Sequence, residues 1–213
     1  MIKAKTSELE ELLTTKRRLS ASHFSNQETD LFLKYYQIVL KWNDRLHLTT
    51  LTDPSAFWQH NLLESDFAAS LILPTVENVW DLGSGLGVPG IPISILRPDL
   101  SIRLIESKTS KRIFLEEVTD ALKLANCAVL EQRIENLAVP PVNTCLVTRA
   151  VEQISGLVPR IIDLGEECQQ ILFLGSKALG KIVRASVSTK KQMIENPIPN
   201  TVNRFIFNLT SST

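Results

Sequence analysis

Apolar residues along the first third of the chain recur at intervals of three and four, the period of a helix with one buried side. Leu9, Leu12, Leu13 and Lys16 keep this spacing behind Ser7-x-x-Glu10, whose capping-box pattern predicts a helix start. Ser25-x-x-Glu28 repeats that pattern ahead of a longer helix, Leu31 to Leu46, with Phe32, Tyr35, Tyr36, Val39 and Trp42 on its apolar sides. Asp53-Pro54 combines an N-cap with proline at the first helical position. It predicts a third helix running through Phe57, Trp58, Leu62, Leu63 and Phe67 towards Pro74. From Asn78 onward the period changes, and short β-prone runs alternate with helical ones, as in a parallel α/β sheet. Strands are expected at Asn78–Leu82, Ser101–Glu106, Ala128–Glu131, Thr144–Thr148 and Gln170–Leu174, with a helix from Thr109 to Leu124. Val202–Leu209 alternates as a further strand, antiparallel at or near the sheet edge, whereas Pro197 and Pro199 suggest a loop within Lys177–Asn200. The expected division is a helical extension over residues 1–74 packed on an α/β core over 75–213.

The first strand runs into Asp81-Leu82-Gly83-Ser84-Gly85-Leu86-Gly87, and Ile91, Ile93, Ile95 and Leu96 then supply a helical face. Strand, glycine loop and helix in that order make a ligand loop, because glycine adopts positive φ and admits close backbone approach. Gly85-Leu86-Gly87-Val88-Pro89-Gly90 also fits the dinucleotide pattern, while Ile91-Pro92 in place of Lys-Ser/Thr excludes a P-loop. Asp81 would repel a pyrophosphate and suits a cationic or hydroxyl-bearing ligand instead. The D-x-G-x-G-x-G form resembles the S-adenosylmethionine (SAM) loop of class I methyltransferases, and SAM carries an amino group, a sulfonium and no phosphate.

Composition adds little and excludes some classes. Hydrophobic residues make up 44% and charged residues 22%, an ordinary globular balance, with formal net charge zero. A nucleic-acid site must therefore be local. Lys16-Arg17-Arg18, Lys108 with Lys111-Arg112, Lys177 with Lys181 and Arg184, and Lys190-Lys191 are the candidate patches. No apolar run reaches membrane-span length, and no signal-peptide pattern precedes the first helix, so a cytoplasmic protein is expected. Cys127, Cys145 and Cys168 are widely spaced and read as reduced core thiols. His23 and His47 have no partner at metal-ligand spacing, and no zinc site is expected.

Ligands of open α/β sheets bind beyond the carboxyl ends of the strands. Glu106 ends the second strand and can accept hydrogen bonds from both ribose hydroxyls of a nucleoside. Ile134, in the Arg133-Ile134-Glu135 run after the third strand, could carry an adenine ring. Arg149 follows the fourth strand, where it would face the reacting centre or a phosphate, or else pair with a neighbouring acid.

Together these residues resemble the RsmG family, also called glucose-inhibited division protein B. The likeness rests on Trp42-Asn43, Leu48-Thr49-Thr50 with Asp53-Pro54, His60, the run from Asp81 to Pro92, Arg97-Pro98, Glu106 with Lys111-Arg112, and Arg149-Ala150, with an echo at Arg204–Phe207. The family methylates N7 of a guanine in bacterial 16S ribosomal RNA. The resemblance implies a class I SAM-dependent methyltransferase fold, a mostly parallel Rossmann-like sheet with helices on both faces. It implies SAM contacts at Asp81, Gly83, Ser84, Gly85 and Gly87, ribose binding at Glu106, and adenine contacts at Ile134 and Glu135. It also places Arg149 beside methyl group and substrate, with His60 next to that site, so that Arg149 and His60 are the expected catalytic residues. The implied partner is 16S rRNA or the small ribosomal subunit, for a monomer. The chain departs from the family twice. His60-Asn61-Leu62-Leu63-Glu64-Ser65 is one residue longer than H-x-x-D-S, and Phe173-Leu174-Gly175-Ser176-Lys177 replaces an A-L-K-G-like run. An NAD-dependent oxidoreductase, a small-molecule methyltransferase and a SAM-fold assembly factor without catalysis remain as alternatives on the residues alone.

Overall fold

The computed structural model describes residues 2–15, 23–149 and 156–211. The basic run Lys16-Arg17-Arg18 and Ala150 lie outside them. Helix α1 spans Ile2–Thr15 and α2 Asn26–Leu46, and α3 (Pro54–Phe57) passes through a π-helical turn, Trp58–Leu63, into α4 (Glu64–Leu71). Then β1 (Asn78–Leu82), α5 (Gly90–Leu96), β2 (Ser101–Glu106), α6 (Thr109–Leu122) and β3 (Cys127–Glu131) follow. After a 3₁₀ turn at Ile134–Asn136 come β4 (Thr144–Arg149), α7 (Leu157–Leu164), β5 (Gln170–Gly175), α8 (Lys177–Ser186), β6 (Lys191–Pro197) and β7 (Phe205–Ser211).

The strands form one seven-stranded sheet in the order β3-β2-β1-β4-β5-β7-β6. β1 to β5 are mutually parallel, and β7 runs antiparallel to both β5 and β6. Side chains alternate across a strand, and the core divides accordingly. Val79, Ile102, Leu104, Cys145, Val147, Leu172 and Leu174 pack beneath α1, α2, α4, α5 and α6. Trp80, Leu82, Ile105, Leu146, Ile171 and Phe173 pack beneath α7 and α8. The first of these clusters runs without a break from Leu9 and Phe32 to Ile102, which joins the N-terminal helices to the sheet.

The chain differs from the sequence-based expectations at four places. Ser7 is no cap: α1 begins at Ile2, and Ser7 sits exposed inside it while Thr6, Leu9 and Leu13 are buried. The Ile-Lys-Ala-Lys start favours helix, and the buried stripe sets its phase regardless of the cap motif. Ser25 is an N-cap, and its capping box with Glu28 is complete. The third helix is not continuous α-helix but carries the π turn. Lys177–Asn200 is mostly regular, holding α8 and β6, and the loop that Pro197 and Pro199 suggest begins only at its end, after Pro197. The helical signal was blunted by Gly180, which is required because a Cβ there would lie 2.5 Å from Phe207 Cζ. β7 is antiparallel and next to the sheet edge, as expected, with β6 and its half-exposed Ile194 as the outer strand. Finally, Lys190-Lys191 is not a free basic patch. Lys191 is buried, with Nζ donating to the Cys168 carbonyl and lying 3.4 Å from Ser211 Oγ, and Lys190 pairs with Glu166 and Glu167. All three cysteines are free, Cys145 and Cys168 buried and Cys127 half-buried.

Candidate active site

The glycine loop is held by its own backbone. Gly83 N–H and Ser84 N–H both donate to the Ile105 carbonyl of β2, at 2.9 and 3.0 Å, and Gly87 N–H donates to Ser84 O at 2.6 Å. Gly83, Gly85 and Gly87 all have positive φ, at 73°, 52° and 88°. At Gly87 the demand is doubled, since a Cβ would stand 2.6 Å from Ile91 Cγ1 and 3.0 Å from Leu115 Cδ2. Gly83, by contrast, faces open space. The Tyr35 hydroxyl of α2 donates to Leu86 O at 2.6 Å, so the helical extension braces the loop from behind.

Asp81 lies beneath this loop rather than on its open side. Its Oδ2 accepts from Gly90 N–H at 3.1 Å, while Oδ1 is buried without a hydrogen-bond partner. Burial pushes the carboxyl up to about 7, although the Gly90 N–H, the Ser84 hydroxyl and the Arg149 cation act in the opposite sense.

Glu106, at the tip of β2, closes the open side. Its Oε2 accepts from Gly85 N–H and its Oε1 from Lys108 N–H, both at 2.9 Å. A cavity of about 390 Å³ opens here, and Gly83, Glu106, Ile134 and Glu135 share its wall with Lys111 and Leu157. Four of the residues expected to hold a cofactor thus meet around one space, while Asp81, Ser84, Gly85 and Gly87 do not line it. The donor set suits a nucleoside: a carboxylate with free lone pairs for hydroxyls, an apolar Ile134 for a ring, and glycines that clear the approach. The orphaned Asp81 Oδ1 adds a buried negative site suited to a cationic group. A larger hollow of about 720 Å³ at Ser94–Pro98 and Leu122–Asn126 faces the amino ends of the strands and contains none of these groups.

A second cavity, of about 300 Å³, is lined by Leu51, His60, Glu64, Arg149 and Arg204. Arg149 ends β4, and its Nη1 donates to the His60 main-chain carbonyl at 2.6 Å. Burial lowers its pKa, opposed chiefly by Glu64. Glu64 is fully buried and holds Arg204 in a fork, Nε to Oε1 at 2.9 Å and Nη2 to Oε2 at 2.7 Å. Its Oε1 also faces His60 Nδ1 at 3.2 Å. The π turn explains how this survives the added residue between His60 and Ser65: a wider i→i+5 turn takes up one extra position without shifting the helix on either side. His60 and Arg149 are legible in the sequence, Glu64 stands out there only as part of a departure from the family, and Arg204, Tyr35 and Leu51 carry no local mark of a role. The Arg204-x-Ile206-Phe207 echo was the available signal for Arg204. Lys177, at the end of the run that departs from the family pattern, is exposed at the first turn of α8.

Comparison with known proteins gives a consistent answer. Residues 28–204 match the family model GidB, described as rRNA small subunit methyltransferase G. The chain is 32% identical over 163 residues to a ribosomal RNA small subunit methyltransferase G of Pseudomonas entomophila, covering 76% of this chain and 75% of that one. It is 34% identical over 179 residues to a protein of the same name from Dichelobacter nodosus, covering 83% and 82%. Among solved structures, the glycopeptide N-methyltransferase MtfA complexed with SAM superposes with a TM-score of 0.59 at 12% identity, covering 74% of this chain and 91% of that one. A predicted O-methyltransferase from Agrobacterium tumefaciens gives 0.56 at 16% identity, covering 68% and 79%. At such identities these neighbours speak for the fold alone, which is that of the class I SAM-dependent methyltransferases.

Proposed function

This chain belongs to the GidB family of rRNA small subunit methyltransferase G proteins, and on that premise we propose that it transfers a methyl group from SAM to N7 of a guanine in 16S ribosomal RNA. The observation carrying this reading is the pair of cavities at the carboxyl ends of the parallel strands, one around Glu106 and the glycine loop, the other around Arg149 and His60. The first suits the cofactor and the second the target base.

Bound SAM supplies an electrophilic methyl on a sulfonium centre. Guanine N7 carries an in-plane lone pair and no proton, so no side chain has to act as a general base. The residues instead position and dehydrate the reactants. Gly83, Ser84, Gly85 and Gly87 shape the cofactor loop, Glu106 accepts from the ribose hydroxyls, and Ile134 with Glu135 flanks the adenine. Asp81 offers negative charge beneath the loop. Arg149 and His60 face the base, with Arg149 oriented by its bond to the His60 carbonyl. We read residues 1–74 as an extension on a methyltransferase core of 75–213, in a monomer that acts in the cytoplasm on 16S rRNA or the small subunit. Among the described residues no helix is long and apolar enough to cross a membrane.

The test is transfer of labelled methyl to small subunits, followed by mapping of the modified base. Label recovered as 7-methylguanine at one position supports the reading. SAM binding without transfer to any small-subunit preparation, or tight NADH binding in calorimetry, overturns it. Arg149→Lys is expected to lower turnover about a hundredfold while leaving SAM affinity nearly unchanged, because an ammonium cannot reproduce the guanidinium fork that reaches both the His60 carbonyl and a base or phosphate. Single-turnover rates alongside calorimetric SAM titration separate the two effects, and full turnover would make Arg149 an ion-pair residue only.

A further inference from the structure

The segment joining β6 to β7, residues 198–204, is a tight loop anchored at three points, one of them at the second cavity. Gln59 Nε2, in the π turn, donates to Asn200 O at 2.9 Å. The backbone N–H of Lys177, in the first turn of α8, donates to Asn203 Oδ1 at 3.1 Å. Arg204 forks onto Glu64 and itself lines the cavity. Internally, Ile198 N–H donates to Arg204 O at 2.9 Å and the Thr201 hydroxyl to Ile198 O at 2.6 Å. Asn200 and Asn203 take the left-handed region at φ 60° and 55°, which asparagine tolerates better than most residues. Ile198 is buried, yet Val202 is 93% exposed. A loop this well anchored thus holds one aliphatic side chain out in solvent beside the mouth of the site.

We propose that this loop is the RNA-reading lip of the active site, with Val202 packing against nucleotides that flank the target guanine. The inference rests on the rRNA methyltransferase reading above. Two residues of chain span at most about 7 Å, so Val202 stands close to Arg204 and hence to the base cavity. The loop Ile-Pro-Asn-Thr-Val-Asn-Arg contains no acid. The neighbouring face of α8 presents exposed Lys177 and Lys181, one helical turn apart. An apolar tip among amides, a hydroxyl and cations fits unstacked bases, ribose and phosphate better than it fits an acidic or apolar protein patch. A base turned out of its stack leaves a gap that an apolar wedge can fill.

Two measurements on the full chain test this. With a photo-crosslinking amino acid at position 202, adducts with small subunits should fall on 16S rRNA within a few nucleotides of the methylated guanine. Val202→Asp should raise KM for small subunits about tenfold or more, through repulsion of the RNA backbone. SAM affinity and melting temperature should remain those of the unsubstituted protein. Crosslinks to a ribosomal protein, or none, or an unchanged KM for Val202→Asp, overturn the lip while leaving methyl transfer intact. If the unsubstituted protein methylates no 16S guanine, the function reading fails instead, and the crosslink still reports whether position 202 touches RNA.

Discussion

Glu64→Ala is expected to cost about 3–5 kcal/mol of folding stability, the usual penalty for leaving one member of a buried ion pair behind. Glu64 is fully buried, and the side chain of Arg204 is only 26% exposed. Removing the carboxylate strands that guanidinium beside Arg149, whose charge Arg204 already opposes. His60 loses its Nδ1 partner as well. Chemical denaturation at neutral pH measures the loss. An Arg204→Met, Glu64→Leu double variant should recover only part of it, since the stranded Arg204 charge is gone but Arg149 still lacks the carboxylate that chiefly supports its own. It should nonetheless transfer methyl groups poorly, because His60 is no longer oriented. A loss below about 1 kcal/mol in Glu64→Ala, the range of an exposed pair, would mean that water reaches and solvates the fork.

Asp81→Asn should change how stability depends on pH. An ordinary aspartate titrates near 3.8, and burial raises Asp81 to about 7. Between these values the folded state binds a proton that the unfolded state has released, so this group's contribution to stability falls as pH rises through the window and is flat above about 7. The difference between the two pKa values corresponds to about 4 kcal/mol. The asparagine variant lacks that loss. Its stability relative to the unsubstituted protein should therefore climb by about 4 kcal/mol from about pH 4 to about pH 8. A constant offset of about 1–3 kcal/mol is expected for the amide hydrogens that replace the unpartnered Oδ1. SAM affinity should fall about tenfold or more, as a nearby negative charge is removed from a cationic ligand. Urea melts across that pH range, with calorimetry at its alkaline end, give both quantities. Parallel pH profiles for the two proteins would mean that Asp81 titrates normally.

In the empty protein, Asp81 is thus a liability: its charge is desolvated and only half satisfied. A Cβ at Gly90 would stand 2.3 Å from Leu104 Cδ2 and 2.7 Å from Asp81 Oδ2, so the glycine clears space for both side chains. Such a local conflict marks a functional position rather than a folding one.

Sequence alone determined whatever depends on near neighbours in the chain. The capping box at Ser25, the Asp53-Pro54 helix start, the alternation that sorts Val79 from Trp80, and the glycine loop are all set within a few residues, where period and turn chemistry act. Glu106 was legible because a strand end has a known place at the sheet's carboxyl edge. Tertiary structure decided the rest. Glu64 meets Arg204 across 140 residues, and Tyr35 meets Leu86 across 51, and no local pattern encodes such meetings. The π turn was hidden because a helix with one inserted residue keeps nearly the same apolar spacing, and only the packing of its two ends shows which turn widened. Lys191 reads as surface by type, yet burial beneath Cys168 and Ser211 makes it internal. Helix α8 depends on the ring of Phe207 filling the space a side chain at 180 would need, and that ring arrives from a strand added later in the chain.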